Sequence, residues 1–357
     1  MQLHILTDPA TTPLGLDVDP GFGECFTPGM ILRDYEPGLG WQDARLVPRA
    51  PLSIDPAAVA LHYGQSIFEG MKAYRDTRGE LVLFRPEANA ERMTLSAERM
   101  AMPPIPVAEF TELVKAFVAH QGACLSDDPS HALYLRPITF GTDGVLGVHP
   151  SKAYTFVLLG MIVSSYFKKG SKGLRLRVED QYVRAVKGGT GAAKTAGNYA
   201  ASLLAQRKAV EAGCDQVLWL DAQHREYIEE LGGMNCFTVL DGTLVTPPLG
   251  DTILAGITRD TLLALARHLG IPTEERPLPL SEVLDGISSG RTTEVFATGT
   301  AAVISSVAEL VWKGETFRLP DAQPIATMLK AKLTGIQKGT EPDTMHWLTH
   351  AQPTALV

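Results

Sequence analysis

The spacing of apolar side chains predicts both helices and strands in the first half of the chain. Met93, Ala97 and Met100 recur at helical spacing after Pro86, and Pro103-Pro104 ends that helix. Apolar runs and turn signals predict the other elements of this half, which are a hairpin of strands 71–74 and 81–84, a helix at 108–121, and strands at 134–139 and 153–163.

The second half has the same mixed character. Asp241-Gly242 favours a type I′ turn between strands 235–240 and 244–246, and Gly213 and Gly270 end helices 198–212 and 257–269. Further predicted elements are strands at 215–220 and 294–297, a helix at 301–310 and a C-terminal helix that includes His346 and His350. This order predicts a mixed α/β fold and gives no indication of a doubly wound nucleotide-binding fold.

The length of 357 residues favours two domains. Residues 165–173 are basic and contain glycine and serine, so they are the candidate interdomain loop, although a plain hairpin loop also fits. We therefore expect a smaller N-terminal α/β domain at 1–164 and a larger C-terminal domain at 174–357.

Composition and charge narrow the class of protein. The net charge of -8 argues against nucleic-acid or anionic-membrane partners, but it leaves room for a local basic site for a small anion. The four cysteines are scattered and form no CxxC pair, which is typical of a reduced, intracellular protein. With no signal peptide and no apolar run of about 20 residues, we expect a cytoplasmic protein.

The segment Gly188-Gly-Thr-Gly-Ala-Ala-Lys-Thr195 is the main candidate for chemistry. A phosphate-binding P-loop needs glycine directly before the lysine, where this chain has Ala193. The alternative is that Lys194 forms a Schiff base, since a partly desolvated amine attacks aldehydes and small neighbours leave space for a flat cofactor. A surface lysine in a flexible loop is the remaining interpretation.

A pyridoxal-phosphate site also needs a carboxylate for the ring nitrogen, a donor for the phenolic oxygen and an anion site. Glu230 precedes a glycine pair and an apolar strand, and Tyr199 lies about one helical turn after Lys194. Gly256-Ile-Thr258 opens a helix and can bind phosphate, as can the turn Thr298-Gly-Thr300, with Arg92 as a charged contact. Each residue alone also fits a structural role.

Other catalytic patterns are incomplete. His346 and His350 have the spacing of a zinc helix, but Trp347 stands where the general-base glutamate belongs. Gly64-Gln-Ser66 lacks the second glycine of a nucleophile elbow.

In combination, several blocks resemble the branched-chain amino acid aminotransferases in order and over almost the whole chain. These are Leu61-His-Tyr-Gly-Gln-Ser-Ile-Phe-Glu-Gly-Met-Lys-Ala-Tyr74, Phe84-Arg-Pro86, Glu91-Arg-Met93, Tyr134-Leu-Arg-Pro137, Leu146-Gly-Val148, Lys194 with Gly197-Asn-Tyr199, Glu230-Leu-Gly-Gly-Met-Asn235, Gly256-Ile-Thr-Arg259 and Gly299-Thr-Ala301.

The resemblance implies the two-domain fold of type IV pyridoxal-phosphate enzymes, a homodimer, and a ping-pong transamination of leucine, isoleucine or valine with 2-oxoglutarate. It implies that Lys194 carries the cofactor. Arg136 is a candidate for assisting when glutamate is the co-substrate, and a structural arginine is the other interpretation. The other cofactor residues that it implies are Arg92, Tyr199, Glu230, Ile257, Thr258 and Thr300. The other substrate residues that it implies are Phe22, Tyr63, Phe68, Tyr134, Val148 (from the partner subunit), Tyr166 and Ala301.

Two departures from the mammalian members of this family are visible. Gly233 stands where they have a threonine near the substrate, and Ala302 and Ser305 replace a redox-active cysteine pair. Three rival functions stay open at this point, namely a D-amino acid aminotransferase, an aminodeoxychorismate lyase and a phosphate-nucleotide-binding module.

Overall fold

A computed structural model describes residues 1–15, 19–164 and 173–352. In chain order its strands are β1 (Leu3–Ile5), β2 (Phe26–Glu36), β3 (Gly40–Trp41), β4 (Ala44–Pro48), β5 (Ser66–Phe68), β6 (Met71–Arg75), β7 (Leu81–Phe84), β8 (Ala132–Gly141), β9 (Tyr154–Val163), β10 (Leu174–Glu179), β11 (Gln216–Leu220), β12 (Ile228–Leu231), β13 (Met234–Leu240), β14 (Thr243–Thr246), β15 (Thr273–Glu275), β16 (Thr292–Gly299), β17 (Val303–Trp312), β18 (Glu315–Arg318) and β19 (Leu348–His350). Its α-helices are α1 (Val59–Tyr63), α2 (Pro86–Arg99), α3 (Val107–Gln121), α4 (Ala196–Glu211), α5 (Ile257–His268), α6 (Leu280–Ser289) and α7 (Pro324–Gln337).

These elements pack into two compact units. Among the described residues, the first unit contains 1–15, 19–164, 193–196 and 335–352, and the second contains 173–192 and 197–334. Residues 193–196 join the first unit because Thr195 forms a β-bridge with Ile67, and the C-terminal segment joins it because β19 pairs with β7. The domain bounds of 1–164, 165–173 and 174–357 stay a prediction, and residues 165–172 lie outside the described part of the chain.

The first unit is built on a ten-stranded sheet with the order β1-β4-β2-β9-β8-β6-β7-β19, to which β3 and β5 add at β2 and β8. The long strands β8 and β9 form an antiparallel pair, in which Tyr134 lies opposite Met161. Leu133 and Leu135 belong to the same apolar core as Phe110 and Phe117 of α3. This core holds β8 in place, and the residues that alternate with its leucines, Tyr134 and Arg136, lie on the opposite face of the strand.

The second unit contains a nine-stranded sheet with the order β12-β11-β10-β17-β16-β13-β14-β15, and β18 pairs with β17. Because β12 also pairs with β13, the sheet closes on itself. Asp241 and Gly242 have φ values of 49° and 78°, which confirms the turn predicted between β13 and β14. The remaining predicted strands and helices are confirmed within a few residues, except for two, and the fold is mixed α/β as expected.

The helix predicted at 301–310 is wrong, because Val303–Trp312 is strand β17. Its buried residues Ile304, Val307 and Leu310 are three positions apart, a spacing that resembles a helix. The strand forms because β17 pairs with β16 on one side and β10 on the other. The pairing partners, rather than the local pattern, determine this segment.

The C-terminal helix is wrong as well. His346 has a φ of 54°, which a right-handed helix does not allow, and Leu348–His350 adds to the first sheet as β19.

Within the described residues, no helix has both the length and the hydropathy that a bilayer span requires.

Candidate functional site

Lys194 is fixed through its backbone by elements of the first unit. Its N–H donates to Oγ of Ser96 in α2 at 3.0 Å, and its carbonyl accepts the N–H of Phe68 at 3.0 Å. The hydroxyl of the next residue, Thr195, donates to the carbonyl of Ser66 at 2.8 Å. These bonds fix the backbone of residue 194 and do not involve the lysine side chain. The side-chain Nζ lies 4.9 Å from the centre of the Phe68 ring.

A buried ion pair lies beside this amine. Glu69 is fully buried, and its Oε1 and Oε2 accept Nε and Nη2 of Arg92 at 2.7 and 2.8 Å. Nδ2 of Asn89 adds a bond of 2.7 Å. Burial by itself raises the pKa of the Glu69 carboxyl, but the charge and hydrogen bonds of Arg92, followed by the charge of Lys194, hold that pKa below its ordinary value. The lowered pKa favours the ionised form of Glu69, whose charge interacts with that of Lys194.

The sequence motifs do not single out Glu69, although it lies within one of the matching blocks. The signal that could have identified Glu69 is its position between the predominantly buried strands β5 and β6. A carboxylate that is buried there requires a cationic partner. Arg92 is expected from the sequence to contact a phosphate, and the structure gives it Glu69 as an ion-pair partner.

Four predicted pocket residues of the first unit form a chain of contacts, which runs from Phe68 through Arg136 and Tyr134 to Phe22. The guanidinium carbon of Arg136 lies 4.8 Å from the centre of the Phe68 ring and 5.4 Å from that of Tyr134. Phe22 meets Tyr134 edge to face, with 5.0 Å between ring centres. The buried Nε of Arg136 has no hydrogen-bond acceptor among the described residues. The result is an aromatic surface with one guanidinium on the same side of the first unit as Lys194.

Gly70 is required by the close approach of Tyr134. A Cβ at Gly70 would overlap the Tyr134 hydroxyl, which also accepts a bond from Nη2 of Arg136 at 3.2 Å. Any larger residue at position 70 would therefore displace the aromatic surface.

The other pocket candidates of the first unit lie elsewhere. The hydroxyl of Tyr63 donates to the carbonyl of Leu146 at 2.6 Å, so Tyr63 contacts the loop that carries Val148. Val148 is 86% exposed, which leaves its side chain accessible to a partner. Tyr166 lies outside the described residues.

In the second unit, Glu230 is a buried carboxylate with two defined partners. Its Oε1 accepts the N–H of Leu254 at 2.8 Å, and its Oε2 pairs with Nε of Arg184 at 2.8 Å. Both adjacent glutamates of β12, Glu229 and Glu230, are buried. A solvent-facing glutamate pair is therefore excluded. Sequence reasoning does not find Arg184, because an isolated arginine in a loop carries no local signal.

The predicted anion site is the beginning of α5. Gly256 is the N-cap, and Ile257 and Thr258 form the first turn, where backbone N–H groups lack intrahelical acceptors. A Cβ at Gly256 would overlap Oδ1 of Asn235, whose Nδ2 donates to the Leu254 carbonyl at 2.9 Å. Leu254, whose N–H donates to Glu230, therefore lies in the backbone segment that leads directly into the N-terminus of α5.

Tyr199 lies in the first turn of α4, next to Gly233. A Cβ at Gly233 would lie 3.3 Å from Cε1 of Tyr199, so glycine gives the phenol ring the space that a threonine would take. Thr300 and Ala301 occupy the turn between β16 and β17, which the bond from the Thr298 hydroxyl to the Val303 carbonyl closes at 3.0 Å.

The nucleotide-binding alternative does not fit this geometry. A P-loop connects a strand directly to its helix and uses the threonine hydroxyl for the metal. Here residues 180–195 follow β10 as a long loop, and the Thr195 hydroxyl is bound to Ser66.

The chain is similar to known proteins in both sequence and structure. The family model Amino-transferase class IV matches residues 66–310. A branched-chain-amino-acid aminotransferase of Mycobacterium tuberculosis is 48% identical over 337 residues, which cover 92% of each chain. Among solved structures, the branched-chain aminotransferase of Thermoproteus uzoniensis with norvaline has a TM-score of 0.76 at 28% identity, covering 91% of this chain and 100% of that one. The branched-chain amino acid aminotransferase of T.th. with pyridoxamine 5'-phosphate has a TM-score of 0.74 at 29% identity, covering 91% and 99%.

These matches bear out the mixed α/β, fold type IV architecture that the sequence predicted. The chain therefore belongs to the class IV aminotransferases and, within them, to the branched-chain-amino-acid aminotransferase family.

Proposed function

We propose that this enzyme transfers the amino group of leucine, isoleucine or valine to 2-oxoglutarate, giving the branched 2-oxo acid and L-glutamate by a ping-pong mechanism. The observation that carries the proposal is the position of the Lys194 amine, which lies 4.9 Å from the centre of the Phe68 ring and interacts electrostatically with the buried Glu69 carboxylate. The relative with 48% identity over 92% of both chains supports the choice of substrates.

The residues present fit pyridoxal phosphate. A reactive amine, a buried carboxylate and an α-helix N-terminus are the three groups that its aldehyde, ring nitrogen and phosphate require. We propose that Lys194 holds it covalently, that Glu230 pairs with its ring nitrogen and Tyr199 with its phenolic oxygen. Its phosphate is assigned to Arg92, Ile257, Thr258 and Thr300. When bound, the cofactor supplies an electron sink for the carbanion that loss of the Cα proton creates.

Lys194 performs the proton transfer. With pyridoxal phosphate bound, the Lys194 amine would take the proton from the substrate Cα and would donate it to the carbon that carried the cofactor's aldehyde. A positioned base of this kind contributes about 10²–10⁴-fold to the rate. The Phe68 ring covers one side of the amine, where it limits access of water.

The pocket residues suit both a branched aliphatic side chain and the side chain of glutamate. The rings of Phe22, Phe68 and Tyr134 offer an apolar surface to a branched aliphatic chain, and Arg136 can pair with the second carboxylate of glutamate. The N–H groups around Ala301 are proposed for the substrate α-carboxylate. The roles of Tyr63, Tyr166 and Val148, the homodimer and the cytoplasmic location stay predictions.

The absorbance of the purified protein tests the proposal. We expect a visible band from bound pyridoxal phosphate, which L-leucine abolishes and 2-oxoglutarate restores. A band that ignores L-leucine and responds to D-alanine would move the specificity to D-amino acids, and conversion of aminodeoxychorismate would favour the lyase. A protein without a band after incubation with pyridoxal phosphate would refute the proposal.

A second test concerns the proposed phosphate site. Gly256→Ala should weaken the binding of pyridoxal phosphate and lower stability by about 1–3 kcal/mol, because the new Cβ overlaps Asn235 and displaces the start of α5. Gly250→Ala is the matched control, since its Cβ would point into open space. The measurements are cofactor affinity by titration and the unfolding midpoint in urea. Equal affinities for the two variants would remove α5 from the phosphate site.

A further inference from the structure

We infer that Arg184 is a positioning residue that keeps Glu230 ionised and correctly oriented for the cofactor ring. This inference rests on the proposed function. It adds to that function a residue outside the expected cofactor contacts. It is carried by the ion pair of 2.8 Å between Nε of Arg184 and Oε2 of Glu230, whose side chains are 5% and 1% exposed.

The guanidinium of Arg184 is held on its other sides by backbone carbonyls. Nη1 donates to the carbonyl of Thr252 at 2.6 Å, and Nη1 and Nη2 contact that of Gly191 at 3.4 and 3.3 Å. The segments that carry these carbonyls are joined to each other, because the N–H of Ala192 donates to the carbonyl of Asp251 at 2.9 Å. These contacts of Nη1 and Nη2 fix the orientation of the guanidinium. Its single Nε–H group then points at Oε2 of Glu230.

The neighbouring Glu229 shows why the charge belongs on Glu230. Oε1 of Glu229 accepts the hydroxyl of Thr252 at 2.5 Å, and its Oε2 has no hydrogen-bond donor among the described residues. Burial raises the pKa of Glu229, and the charge of Asp221 adds to that rise, whereas the Thr252 hydroxyl and the more distant charge of Arg184 offset it only in part. Thr252 therefore contacts both residues. Its hydroxyl donates to Oε1 of Glu229, and its carbonyl accepts a bond from Nη1 of Arg184, whose Nε faces Glu230.

A buried carboxylate needs such a cation to stay charged. In a low-dielectric site an isolated carboxyl takes up a proton, and a protonated Glu230 could no longer stabilise a protonated ring nitrogen. Removal of Arg184 should therefore make the electron sink fail first at low pH, where Glu230 is most easily protonated.

The experiment compares Arg184→Met with Arg184→Lys, Glu230→Gln and the double variant, each as the full chain loaded with pyridoxal phosphate. For Arg184→Met we expect the acid limb of the kcat profile and of the visible band to move to higher pH by about one unit or more, with a smaller move for Arg184→Lys. The double variant should be no slower than Glu230→Gln. Arg225→Met is the control, since Arg225 donates to the carbonyl of Tyr182 in the same unit.

Unfolding in urea without cofactor separates this inference from the proposed function. Arg184→Met should lose stability progressively as pH rises above the unfolded glutamate value of about 4.3, because Glu230 then becomes a buried charge without its cation. The loss should be independent of pH in the Glu230→Gln background. Wild-type protein that binds no pyridoxal phosphate would refute the proposed function, but it would not affect the pH dependence of unfolding measured for Arg184→Met. An unmoved acid limb in Arg184→Met, or additive losses in the double variant, would overturn the inference.

Discussion

Lys194→Ala will lower turnover by about 10³-fold or more while the protein keeps its fold. The side chain supplies the only primary amine that the proposal uses, whereas the backbone of residue 194 makes the bonds to Ser96 and Phe68. Those bonds survive in alanine, so the loss should appear in kcat and not in the unfolding midpoint. Steady-state rates with L-leucine and 2-oxoglutarate, and urea unfolding of both proteins, provide the measurement.

Lys187→Ala is the matched control for this prediction. Lys187 lies seven residues earlier, in the loop that follows β10, and belongs to the second unit. Borohydride reduction of the loaded wild-type protein should attach the cofactor to Lys194 alone, as peptide mapping would show. Attachment at Lys187, or a Lys194→Ala variant with wild-type turnover, would contradict the assignment.

Much of the fold could be predicted from local signals. Asp241-Gly242 specifies its hairpin because both residues adopt positive φ, and Gly270 ends α5 with a φ of 73°. Helix α2 begins at Pro86 and ends at Arg99, four residues before the proline pair. In each of these cases the determining interaction lies within a few residues of the signal.

The wrong elements are those that depend on distant pairing. The residues of β17 follow a spacing of three, and only the flanking strands β10 and β16 make it extended. Strand β19 likewise exists because Phe84 and its neighbours in β7 offer an open edge. Single-chain patterns do not contain this information, since the partners are far apart in sequence.

The candidate site follows the same division. Sequence motifs identify the groups proposed to touch cofactor or substrate, such as Lys194, Glu230 and the α5 N-terminus. They do not identify Glu69 or Arg184, the partners that set charge and orientation. A partner of this kind is defined by an ion pair between two elements, and no spacing along the chain predicts it.

Glu69→Gln is expected to lower the free energy of unfolding by roughly 3–5 kcal/mol, the cost of breaking a buried ion pair on one side. The amide cannot accept at both positions, so its NH2 group would face a donor in either orientation. At the Oε1 position that donor is Nε of Arg92, and at the Oε2 position the donors are Nη2 of Arg92 and Nδ2 of Asn89. Arg92 would stay buried without its counter-ion. Urea unfolding at pH 7 provides the value.

The pH dependence of this loss has a definite sign. The pKa of Glu69 is lowered in the folded protein, so its stabilisation is fully present above the unfolded value of about 4.3 and is lost as pH falls through the folded value. The difference between wild type and Glu69→Gln should therefore shrink below about pH 4. Glu112→Gln is the control, because its partner Lys115 is a helical neighbour at a less buried site, worth about 0–1 kcal/mol. If the two variants lost equal stability, the Glu69–Arg92 pair would contribute no more than an ordinary surface pair, and Glu69 could not be the fixed anion beside Lys194.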